Sequence, residues 1–238
     1  MKKHKPLVIA HRGNTEKHLE NTLPAFDAAL KSKVDGVELD LQLTLDGTIV
    51  VFHDRNLKRL AGVSKNLESL TYPELKKIKL QKKYIIPTLD DFFDLVGNKF
   101  LINLELKSHH YLNGDLEVAL AKKLKNYKYS ENLILSSFNP LSLLRMKVLC
   151  PKIKRGYLFE DKFYLHYHLL LPVPKCYSLH SPLKEMSAEK VLSTHKRGKK
   201  FFVWTVNHEN DMRACIEAGV DGIITDQPSL LQKILNKR

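Results

Sequence analysis

The chain has 238 residues, 27% of them charged and 43% hydrophobic, a composition that excludes a disordered or fibrous chain and suits one large α/β domain with a sizeable core. Lysine and arginine outnumber aspartate and glutamate by 39 to 26, a net charge of +13 that favours anionic partners such as phosphate esters, lipid headgroups or nucleic acid. The three cysteines, Cys150, Cys176 and Cys215, are odd in number and widely spaced, which argues against a disulfide framework or a thiolate zinc site and suits a reducing cytoplasm.

The basic start, Met1 to Lys5, has the look of a signal-peptide front, but the apolar run behind it, Leu7 to Ala10, is too short and reads as a first strand. No later stretch approaches the ~20 apolar residues that a membrane-spanning helix needs, so a cytoplasmic location is expected. His11-Arg12-Gly13 closes the first strand. A helix follows from Thr22 to Lys31, with Thr22 placed to cap it, Pro24 in its first turn, and Leu23, Phe26, Ala29 and Leu30 on one side.

The second strand region, 36–43, alternates apolar with polar residues, so Glu38 and Asp40 share one face; it is read as continuing into a run at 48–53 that ends at His53-Asp54. From Arg55 to Tyr84 strand patterning is weak and one short helix is expected near Pro73 to Lys79. Nine basic residues (Arg55, Lys58, Arg59, Lys65, Lys76, Lys77, Lys79, Lys82, Lys83) face two acidic ones (Glu68, Glu74) in this segment, which reads as a basic insertion at about residues 55–84. Such a run reads either as a solvated face or as a surface for anionic substrate or membrane. A helix restarts at Pro87-Thr88-Leu89.

Further strand-like runs at about 100–106, 132–137, 154–159, 176–180, 200–206 and 222–225 alternate with helix-like segments, among them His208 to Ala218, closed by Gly219. With 36–53 taken as one bent strand region, eight strand–helix units result, and the expected fold is a single TIM (β/α)8 barrel domain over residues 1–238. A parallel sheet covered by helices has no wet face, so the polar row of 36–43 and that of Glu105 and Lys107 must share the interior. Buried carboxylates without a counterion cost several kcal/mol each, so Glu38, Asp40 and Glu105 together call for a cation or for protons. His11, His53, Lys107, Ser137, His180, Thr205 and Asp226 all fall at carboxyl ends of expected strands, where this fold places its chemistry.

His11-Arg12-Gly13, Glu20-Asn21-Thr22, Glu38-x-Asp40, His53-Asp54, Glu105-x-Lys107, Trp204-Thr205-Val206-Asn207 and Asp221 to Pro228, in that order, resemble the glycerophosphodiester phosphodiesterase family, and the likeness spans nearly the whole chain. Leu19 and Val34 stand where many members carry proline and glycine; neither departure touches a charged position. The resemblance implies a barrel with a small insertion, a bound divalent cation, and hydrolysis of glycerophosphodiesters to glycerol 3-phosphate and an alcohol.

Within that resemblance Glu38, Asp40 and Glu105 are the expected ligands of Mg2+ or Ca2+, an all-oxygen set suited to a hard cation. Arg12 and Lys107 would cradle the phosphate, and His11 and His53 would be the acid/base pair. Glu20 and Asn21 are read as braces for His11 or Arg12. Trp204 and His180 read either as barrel packing or as walls of the substrate pocket, and Phe138 either as core or as an apolar lip. His109, His110, His166 and His168 match no motif and read as surface or packing residues. The nucleophile stays open between water and the glycerol hydroxyl, the second of which gains from proximity and passes through a cyclic phosphate.

Two other functions fit parts of the pattern. One is a phospholipase D-like cleavage of lysophospholipids, with the basic insertion making peripheral contact with an anionic membrane. The other is a non-catalytic anionic-ligand or RNA-binding protein; intact metal and acid/base positions argue against it, and no nucleic acid partner is expected because aromatic stacking platforms are not interleaved with the basic runs.

Overall fold

The computed structural model describes residues 5–108, 112–125, 127, 130–160 and 176–237. His109, His110, His166 and His168 lie outside the described residues. Eight parallel strands, β1 (Leu7–Ala10), β2 (Gly36–Leu43), β4 (Leu101–Leu106), β5 (Leu133–Ser137), β6 (Lys154–Leu158), β7 (Ser178–Pro182), β8 (Lys200–Trp204) and β9 (Gly222–Thr225), pair in sequence, and β1 pairs with both β2 and β9 to close a TIM barrel. In β2 the apolar Val37, Leu39 and Leu41 join the main core between strands and helices, which turns Glu38, Asp40 and Gln42 to the opposite face by the two-residue period of a strand.

The run at 48–53 does not continue β2. It is a separate strand, β3 (Ile49–Val51), that turns back antiparallel, with Leu41 opposite Val51 and Leu43 opposite Ile49. The reversal is made at Asp46-Gly47, where Gly47 has φ 79° and Thr44 Oγ1 accepts from Thr48 N at 3.0 Å. It matters because it returns the chain to the barrel rim: Phe52 N donates to Asp40 O at 2.9 Å, so His53 arrives beside the carboxylates.

Helices α1 (Leu23–Lys31) and α4 (Leu89–Val96) pack together through Phe26 and Phe92, ring centroids 4.7 Å apart and nearly perpendicular. Thr88 caps α4, accepting from Asp91 N. Thr22 occupies the cap position of α1 but does not cap it; its hydroxyl donates to Leu19 O at 2.7 Å, tying down the loop instead. Among the described residues the other barrel helices are α5 (Asp115–Leu124), α6 (Pro140–Leu149), α7 (Ala188–Lys196), α8 (Glu209–Ala218), stopped by left-handed Gly219, and α9 (Pro228–Asn236).

Between β3 and α4 the chain forms α2 (Lys58–Ala61), a 3-10 turn at Leu67–Ser69 and α3 (Tyr72–Leu75), a shorter helix than the sequence pattern suggests. Thr71 and Glu74 cap α3 reciprocally. Leu57, Leu60, Leu67, Leu75 and Leu80 build a small core of their own here, continuous with Val50 and Phe52 of the hairpin.

Inside the barrel two glycines make room for large neighbours. A Cβ on Gly156 would lie 2.4 Å from His180 Nε2, and one on Gly222 would lie 2.6 Å from Phe202 Cδ1. The placement of the His180 and Phe202 rings therefore depends on these positions having no side chain.

Candidate active site

At the carboxyl end of the barrel His11, Arg12, Glu38, His53, Glu105, Lys107 and Trp204 line one cavity of about 180 Å³. The register explains the acidic wall. Glu38 pairs with Asn103 and Asp40 with Glu105 across β2 and β4, so their side chains rise side by side. Glu38, Asp40 and Glu105 each offer an oxygen, and these oxygens all lie within 4.8 Å of one another.

Cations and amides partly balance that charge. Lys107 Nζ lies 3.1 Å from Asp40 Oδ1 and pairs with Glu105, and Arg12 Nε lies 3.3 Å from Asp40 Oδ2. Asn21 Nδ2 donates to Asp40 Oδ2 at 2.7 Å. Burial pushes the Asp40 carboxyl up, but Lys107 and Arg12 outweigh it and hold the group well below the usual carboxylate range. Glu38 goes the other way: burial first, then Asp40 and Glu105, push it well above that range. Three carboxylates facing two fixed cations leave one negative charge over, and Glu38 Oε1 is buried with no hydrogen-bond partner. A hard cation fits this all-oxygen set and would satisfy both deficits.

The His-Arg-Gly turn is shaped for its task. Gly13 has φ 90°, and a Cβ there would sit 2.8 Å from Ala25 Cβ, so only glycine lets α1 approach the strand end. Arg12 itself is left-handed, φ 55°, which aims its amide at Glu38 Oε2, 3.1 Å away. Asn21, also at φ 55°, accepts this strain as asparagine can, and its backbone N donates to Arg12 O at 2.9 Å.

Both histidines are held by a carboxylate at Nδ1. His11 Nδ1 is 2.7 Å from Asp226 Oδ1, and His53 Nδ1 is 2.7 Å from Asp54 Oδ1, leaving each Nε2 for other contacts. His11 Nε2 is 3.9 Å from Glu38 Oε2. Asp226 is fixed in turn by Asn207 Nδ2 at 2.7 Å, and Gln42 Nε2 donates to both Phe52 O and Asp54 O at 2.8 Å, clamping the segment that carries His53. Phe138 and Trp204 form an apolar corner of the cavity, their rings edge to face at 5.6 Å.

Glu20 reaches the site indirectly, accepting from Arg12 Nη1 at 2.7 Å. His180 does not line the cavity. It is fully buried deeper in the barrel, 2.9 Å from Ser178 Oγ, and touches the site only through its backbone oxygen, which accepts from Trp204 Nε1 at 3.2 Å. Sequence reasoning did not single out Asn103, although its place two residues before Glu105 puts it on the same face, where it lines the cavity with Oδ1 buried and unpartnered. Nor did it assign roles to Asp226, Asn207 or Gln42; the last had the same two-residue signal from Glu38 and Asp40.

Burial pushes the His180 imidazole down to about 3, whereas unfolded it titrates near ~6.5. Between these values the unfolded chain takes a proton that the folded chain refuses, so this residue makes stability rise with pH through that window. Urea unfolding at about pH 5 and about pH 7.5 is expected to show a smaller gain for His180→Gln than for the wild type; equal gains would contradict this assignment.

Comparison with known proteins identifies the family. The family model described as "Glycerophosphoryl diester phosphodiesterase family" matches residues 11–230. A glycerophosphodiester phosphodiesterase of Caldanaerobacter subterraneus subsp. tengcongensis is 41% identical over 98% of this chain and 99% of its own length. The crystal structure of the Thermotoga maritima glycerophosphodiester phosphodiesterase is similar at a TM-score of 0.80 and 34% identity, covering 97% of this chain and 99% of that one. An Oleispira antarctica phosphodiesterase in complex with the product sn-glycerol-3-phosphate superposes at a TM-score of 0.87 with 28% identity, covering 97% of each chain.

Proposed function

This chain belongs to the glycerophosphoryl diester phosphodiesterase family, and on that premise we propose that it hydrolyses glycerophosphodiesters to glycerol 3-phosphate and an alcohol by metal-dependent acid/base catalysis. The observation that carries this reading is the cavity where Glu38 and Glu105, clustered with the buried Asp40, meet two imidazoles, each backed by its own carboxylate. The Oleispira antarctica phosphodiesterase in complex with the product sn-glycerol-3-phosphate, similar over nearly the whole chain, supports glycerol 3-phosphate as the product here too.

Glu38, Asp40 and Glu105 would hold Mg2+ or Ca2+. Bound there, such a cation would supply Lewis-acid chemistry, offsetting phosphate charge and lowering the pKa of a nearby hydroxyl. Arg12 and Lys107 face the same space and hold the phosphate, Arg12 with a planar fork and Lys107 as a point charge. One imidazole takes the proton of the attacking hydroxyl while the other supplies one to the departing alkoxide. Asp226 and Asp54 keep each Nδ1 occupied, so that Nε2 is the atom that exchanges protons. The glycerol 2-hydroxyl is the favoured first nucleophile because it is tethered next to the phosphate ester within the substrate itself, and water then opens the cyclic phosphate. Trp204 and Phe138 wall the glycerol.

Lys58, Lys65, Lys76, Lys77, Lys79 and Lys82 are exposed, with no carboxylate at ion-pair distance among the described residues, while Arg55 and Arg59 are paired. This uncompensated charge, with the half-exposed Ile85 next to it, supports peripheral contact with an anionic membrane and, with it, a second reading in which lysophospholipids are cleaved. No helix among the described residues is long and apolar enough to cross a membrane. The readings separate in one assay: glycerophosphoethanolamine is expected to yield glycerol 3-phosphate at a higher kcat/KM than lysophosphatidylethanolamine in phosphatidylglycerol vesicles. The reverse preference would favour the second reading, and turnover of neither would refute both.

A further inference from the structure

The insertion's arginine joins the two halves of the site. Arg59 stands in the first turn of α2, beside Leu60, which is buried in the insertion's own core. Its guanidinium forks onto Asp54, with Nε 2.5 Å from Oδ2 and Nη2 3.0 Å from Oδ1. The same group forks onto Glu20, with Nη1 3.0 Å from Oε2 and Nη2 2.7 Å from Oε1. Asp54 is the carboxylate that holds His53, and Glu20 is the one that holds Arg12. The chain of contacts therefore runs His53–Asp54–Arg59–Glu20–Arg12 and ends on Asp40.

We infer that Arg59 is a positioning residue of the reaction: it sets the separation of the proton-transferring His53 from the phosphate-binding Arg12, and through it the basic insertion is a working part of the active site. The inference rests on the roles given above to His53 and Arg12. Asp54 and Glu20 both carry negative charge within reach of one cation, and both carboxyls are held below their usual range, Arg59 being a principal cause once burial is overcome. Without Arg59 they would repel, and each would be free to turn away from the residue it orients. A lysine could satisfy one of them, not both, because a point charge lacks the planar fork that meets four oxygens.

Steady-state kinetics on glycerophosphoethanolamine with Mg2+, supported by thermal unfolding, test this. Arg59→Ala is expected to lower kcat about 100-fold and raise KM about tenfold, and Arg59→Lys, which keeps the packing of α2, to recover less than about a tenth of the kcat loss. The kcat effect of Arg59→Ala should shrink to less than about threefold in an Asp54→Asn background, and its KM effect likewise in a Glu20→Gln background, because the lost contact is already gone. Full-sized effects in those backgrounds, or Arg59→Lys with wild-type constants, would overturn the inference. His53→Ala and Arg12→Ala serve as references: undiminished activity in both would refute the roles assigned above, and the inference with them.

Discussion

Glu38→Gln is expected to lower kcat/KM about a thousandfold or more, and treatment of the wild type with EDTA to do the same. The substitution keeps the side chain's shape and an acceptor for the Arg12 amide, 3.1 Å from Oε2, but removes the charge that the remaining oxygen contributes to the cluster. A Lewis acid at a phosphoryl centre supplies several kcal/mol of transition-state stabilisation, and each ~1.4 kcal/mol is tenfold in rate. Added Mg2+ should restore the stripped wild type and not the variant. Folding should respond differently: burial and two neighbouring carboxylates disfavour a charge on Glu38, so in EDTA the variant should melt no lower than the wild type. Lost activity with a lowered melting temperature would mean that the glutamine damages the barrel and that the rate says nothing about a cation. Thermal unfolding beside the kinetics decides between them.

His11→Ala and His53→Ala are each expected to lower kcat by about 10³ to 10⁴, at the upper end of what positioned acid/base groups contribute. Each ring is oriented by a carboxylate 2.7 Å from Nδ1, so under the proposed mechanism each proton transfer would depend on a pair. Because the two transfers serve one displacement, the double variant should be slower than the slower single variant by no more than about tenfold. Multiplicative losses would indicate that the two imidazoles contribute independently rather than as a unit, and a single variant within threefold of wild type would remove that histidine from the chemistry.

The barrel was legible because its strands obey simple periods. In Gly36–Leu43 and Leu101–Leu106 the apolar residues face the helices, and every polar residue between them must then share the interior with its neighbours. Such alternation places Glu38, Asp40 and Glu105 together without any knowledge of loops. The hairpin is less legible: Asp46-Gly47 between two strand-like runs carries a turn signal, but joining 36–53 into one bent region is what brings the count of strand–helix units to eight. Depth within the barrel is not written in a strand's period either. His180 alternates in phase with its neighbours, but it lies below the cavity because Gly156 on the next strand leaves it room there.

Pairings across long separations were the least accessible. Asp226 meets His11 only because β1 and β9 close the barrel, where His11 N donates to Thr225 O at 2.9 Å. Arg59 meets Glu20 only because the insertion's leucine core holds α2 against the rim. Charge counting sees Arg59 as one more cation in a basic run; only packing distinguishes it from the lysines around it.

The most direct test follows the phosphorus. Phosphorus-31 spectra recorded while the purified protein acts on glycerophosphoethanolamine should show glycerol 3-phosphate growing with Mg2+ present, halting when EDTA is added and resuming once Mg2+ is in excess. Continued turnover at an unchanged rate in EDTA, or phosphate left on the ethanolamine, would contradict a cation-assisted cleavage that keeps phosphate on glycerol.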